Sequence, residues 1–101
     1  MKSGDNRRID PRNYSALTRF FRGYLHQDLA VEHGSPIGAA RAFRRDADER
    51  ETMVVRSELE RLLAETSSLD FPELSRVLET LGSAWRFPTR KELEHLRDAF
   101  K

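Results

Sequence analysis

The side chains able to do chemistry in this 101-residue chain are few and scattered. Glu92-Leu93-Glu94-His95 holds one Glu-x-x-His, a spacing that sets a carboxylate and an imidazole on one face of a helix. Carboxylate-bridged di-metal bundles need two such motifs and two further glutamates, and the sequence has no second copy. The plainer reading is an exposed, charged helix face. His26 and Asp28 could serve as a base and its orienting acid, yet His26 also falls where a first helix should end. A donor at that position meets open carbonyls. No serine or threonine lies in a Gly-rich elbow, and no Gly-x-Gly-x-x-Gly or phosphate-cradling loop is present. With no cysteine there is no thiol nucleophile, disulfide or Cys-based zinc site. An enzyme is not expected, nor is a metal or cofactor.

Arginine is the next candidate, with 15 of the 18 basic residues. Arg41, Arg44 and Arg45 cluster near the end of a predicted second helix, and Arg19 and Arg22 lie on the first. A small helical nucleic-acid-binding regulator is therefore the alternative reading. Against it stand the 17 acidic residues and a net charge of only +1, far from the basic footprint of such domains. That balance hides a segregation. Residues 1–45 carry +5, residues 46–83 carry −6 and residues 84–101 carry +2. Two readings of the acidic block stay open. Acids such as Asp48, Glu49 and Glu51 favour a helix N-terminus, or they form a face for a basic partner.

The elements that must position these groups are helical. Leu (12) and Ala (9) outnumber Val and Ile together (6), and no alternating β-branched run occurs. Residues 1–13 read as an arm leading into one helical domain over 14–101. Leu17, Phe20, Phe21, Tyr24 and Leu25 recur at i, i+3, i+4, i+7 and i+8, which predicts a first helix from Tyr14 to His26, with Gly23 marking close packing. Ser35-Pro36 is a capped start for a second helix over 36–45 with Ile37, Ala40 and Phe43 inward. A third should span Asp48 to Glu65 on Val55, Leu59, Leu62 and Leu63. Asp70 and Glu73 pattern as a capping box for a fourth, on Leu74, Val77, Leu78 and Leu81, with Gly82 just past its end. Trp85 and Phe87 should lie across helix ends. Thr89 and Glu92 form a second capping box before a last helix with Leu93, Leu96 and Phe100 inward. The expectation is an all-α, compact bundle of about five helices. No run of about 18 apolar residues is present to span a membrane, and the first eight residues lack the apolar core of a secretory signal. A soluble, intracellular protein is expected.

Phe20-Phe21-Arg22-Gly23-Tyr24-Leu25-His26-Gln27-Asp28, followed by His33-Gly34-Ser35-Pro36 and an Ala-rich helix ending in Phe43, resembles contact-dependent growth inhibition (CDI) immunity proteins. The group meant is the small helical one with a Tyr-x-His-Gln-Asp segment and a Gly-Ser-Pro helix start. The resemblance covers residues 14–100. It implies a cytoplasmic, non-enzymatic antidote whose partner is the C-terminal toxin domain of a cognate CDI effector, often a nuclease. Tyr24, His26, Gln27, Asp28, Gly34, Ser35 and Pro36 are then a structural signature rather than the partner surface. The candidate toxin contacts are the acids near the second-to-third helix junction, Asp46, Asp48, Glu49 and Glu51, with Glu58 on the same helix and Glu32 in the preceding connector.

Overall fold

The computed structural model of the protein describes residues 9–26 and 34–101, and the elements below belong to these residues. The chain enters through Asp10, whose carboxylate accepts from the Arg12 amide and starts a short 3-10 turn over Pro11–Tyr14. Ile9, within the stretch read above as an arm, packs against the core, and Tyr14, which follows that stretch, is buried. Helix α1 follows at Ser15–Tyr24. It ends two residues before the predicted His26. Leu25 leaves helical geometry, and its carbonyl accepts from Ala84 at 2.8 Å instead of continuing the helix.

Ser35 caps α2 (Pro36–Asp46) as its sequence predicts, accepting from the Gly38 amide at 3.1 Å. The buried residues of α2 are Ala39, Ala40 and Ala42, with Ile37 and Phe43 half-buried. Small side chains facing inward let this helix sit close to its neighbours. Helix α3 (Glu49–Glu65) buries the expected stripe of Val55, Leu59, Leu62 and Leu63. Helix α4 (Phe71–Thr80) begins at Asp70, which accepts from the Glu73 amide at 3.0 Å. Its end is a Schellman turn: Gly82 donates to Glu79 O and Ser83 to Leu78 O, with Gly82 at φ +102. A Cβ at Gly82 would stand 2.6 Å from Arg22 Cγ, so a close approach as well as backbone conformation selects glycine there. Gly23 is different. Nothing lies within 4 Å of where its Cβ would be, so the close packing expected at this position is absent among the described residues.

Helix α5 (Arg90–Ala99) lacks the capping bond expected of Thr89, whose side chain accepts no helix amide. Its entry is held instead by Arg90, which donates to Thr66 O at 2.6 Å and Leu63 O at 3.4 Å. Glu92 turns down the helix toward His95, 3.9 Å away, rather than back toward Thr89. The packing centres on α1 against α3 and α2 against α5. Phe20 joins the two pairs. Its ring meets Phe43 of α2 edge-on at 5.4 Å and Phe100, at the end of α5, edge-on at 5.0 Å. Tyr24 stacks on the same ring at 5.5 Å. Such edge-to-face contacts add about 0.5–1.5 kcal/mol each beyond area burial. Phe87 is buried and Trp85 half-buried against the core. The fold is an all-α bundle of five helices among the described residues.

Candidate functional site

The acids proposed from sequence fall along the α2–α3 junction and α3, and the fold treats them differently. Asp46 is the last residue of α2 and accepts from the Tyr24 hydroxyl at 3.2 Å. Burial first, and Asp46 second, push the Tyr24 hydroxyl above the ordinary tyrosine range. Asp48 is the N-cap of α3, not its first turn. Its carboxylate accepts from the Glu51 amide at 2.8 Å, and its carbonyl accepts from the Thr52 hydroxyl at 3.1 Å.

Glu58 reaches furthest from its own helix. Its Oε1 accepts from the Leu17 amide at 2.9 Å. Leu17 lies in the first turn of α1, a helix whose N-cap, Tyr14, makes no side-chain capping bond. The carboxylate of one helix thus closes an open amide of another, and it meets the positive end of that helix dipole.

Glu49 and Glu51 remain. Both side chains are exposed and neither forms an ion pair among the described residues. Glu32, with Gln27 and Asp28 of the signature, lies outside the described residues. Within the signature, Tyr24 and His26 are half-buried at the end of α1, while Gly34 takes φ +79 immediately before the Ser35 cap.

Two residues of this surface were not singled out from sequence. Met53 is 52% exposed and Val54 41% exposed, the large hydrophobics so exposed among the described residues. They lie over a shallow groove of about 580 Å³ lined also by Glu49, Arg50, Ser57 and Arg61, with Glu58 at its edge. Arg50, Met53, Val54, Ser57 and Arg61 recur at i, i+3, i+4, i+7 and i+11, which is the face of α3 opposite its buried stripe. The signal was present in the sequence: two apolar residues stand outside the Val55–Leu59–Leu62 stripe. Arg61 closes the far end, donating to Asn13 O and sitting over the Tyr14 ring at 4.6 Å.

The competing chemistries find less support. Among the described residues no group of three or more His, Cys, Asp or Glu is arranged to hold a metal ion. Part of the arginine excess has internal work. Arg44 donates to Ala99 O at 3.2 Å and Arg90 to Leu63 O and Thr66 O, so both bind carbonyls at helix ends. No helix among the described residues is long and apolar enough to cross a membrane.

With this geometry in view, comparison with known families is decisive. Residues 13–99 match the family model of the CdiI immunity protein. The chain belongs to that family. Comparison with curated proteins and with solved structures finds no match. Membership in the CdiI immunity family implies the neutralisation of a CDI toxin.

Proposed function

We propose that this CdiI immunity chain acts in the cytoplasm without catalysis, binding the C-terminal toxin domain of its cognate CDI effector, a nuclease, and blocking it. The family match over residues 13–99 carries the reading. The contact surface is the acidic stretch of the α2–α3 junction, continuing along α3 and including Glu32 in the preceding connector. Nuclease domains bind a polyanion and present cations to do so. An acidic surface competes for those cations and speeds encounter with the toxin. Within the candidate set, Asp46, Asp48 and Glu58 border the surface while holding the fold together, whereas Glu49 and Glu51 are exposed with no ion pair among the described residues.

The test follows from that distinction. The Glu49→Lys/Glu51→Lys variant should keep its helical content and weaken binding to the toxin domain by about 2–4 kcal/mol in a calorimetric titration. Affinity equal to that of the wild-type chain would remove these acids from the interface. Failure of the wild-type chain to co-purify with the effector's C-terminal domain would remove the function itself.

A further inference from the structure

We infer that the outer face of α3 holds the toxin through Met53 and Val54, and that the element docking there carries an apolar side chain bordered by lysine or arginine. This rests on the toxin-binding reading above and assigns the parts of that interface. Three observations carry it. Met53 and Val54 are the most exposed large hydrophobics among the described residues, and they adjoin one another over a single groove. Glu49 lines the N-terminal end of the groove and Glu51 flanks that end of the helix, neither in an ion pair among the described residues, so that end carries a net negative charge, with Arg50 offsetting part of it. Arg61, at the other end, already lies over Tyr14 and donates to Asn13 O, so its charge is directed away from those acids. The face is therefore apolar in the middle and negative at one end. The complement of that pattern is an apolar ridge with cations on one flank.

The two parts of the face act on different rates. Anchors that lose their water on docking govern how long a complex lasts, whereas exposed rim charges govern encounter. The apolar pair sets the lifetime of the complex and the acids set its rate of formation.

Binding kinetics separate the two. The full chain is measured against the C-terminal toxin domain of its cognate CDI effector, at about 0.05 M and 0.5 M salt. The Met53→Ser/Val54→Ser variant should dissociate about tenfold faster or more at both salt concentrations, with association within about twofold of wild type. The Glu49→Gln/Glu51→Gln variant should associate about three- to tenfold more slowly at low salt, and the difference should vanish at high salt. All four side chains are exposed, so circular dichroism and melting temperature serve as controls that the variants fold. Tight wild-type binding with unchanged dissociation of the Met53→Ser/Val54→Ser variant would overturn this inference and leave the toxin-binding reading intact. Absence of wild-type binding would overturn both.

Discussion

The two faces of α3 put the same residue types to opposite uses. Inside, Val55, Leu59 and Leu62 are sealed in the core, and Glu58 at the margin gives its carboxylate to α1. Outside, Met53 and Val54 stand in solvent, and Glu49 and Glu51 make no ion pair among the described residues. An apolar group buried within the chain stabilises the fold at all times, while the same group on the surface gains only when something covers it. Residue type alone therefore does not separate fold from function on this helix. What distinguishes the two faces is whether a side chain meets a partner within its own chain.

The comparison breaks first, and hardest, on the inner face. Leu59→Ala should cost about 2–5 kcal/mol in urea unfolding, a large fraction of the stability of a domain this size. The folded fraction should bind toxin as wild type does, and a selective loss of affinity would show that the inner face also shapes the interface. Glu58→Ala should cost about 1–3 kcal/mol, because the Leu17 amide loses its acceptor at a part-buried site. An unchanged unfolding midpoint would transfer Glu58 from the fold's account to the outer face.

The smallest effect is a pH dependence at the far end of α3. Burial pushes the Tyr14 hydroxyl up to about 12, its hydrogen bond to Glu65 adds to this, and Arg61 opposes it. The raised value means the fold holds the neutral phenol more tightly than the unfolded chain does. This contribution is fully present below the ordinary tyrosine value near 10 and is lost as pH rises toward about 12. Urea midpoints measured across that window should fall for wild type and fall less for Tyr14→Phe. Parallel slopes would place the sensitive group elsewhere.

Legibility in the sequence followed the reach of each interaction. Ser35 capping Gly38, Asp70 capping Glu73 and the Gly82 turn are settled within a few residues, so local patterning predicts them. The buried stripe of α3 was equally plain, because periodicity alone marks it. Contacts made across the bundle were not. Glu58 on Leu17, Arg44 on Ala99 and Arg90 on Thr66 join residues that only the docked helices bring together. Thr89 shows the converse: its local pattern predicts a cap that the side chain does not make, while Arg90 beside it fastens the start of α5 to the end of α3. For the candidate site, sequence named the acids of the α2–α3 junction and of α3 but treated them alike. The division into Asp48 and Glu58, which hold helix ends, and Glu49 and Glu51, which do not, required the tertiary structure.

The ring cluster around Phe20 bears on how the chain is made. Phe20 lies near the start of the described residues, and one of the rings covering it, Phe100, comes after the last helix. During synthesis the first helix emerges long before that cover exists, and the core closes only once α5 has cleared the ribosome. A chain arrested after α4 would leave Phe20 and Phe43 without Phe100. Its first two helices would expose apolar rings that the complete fold covers.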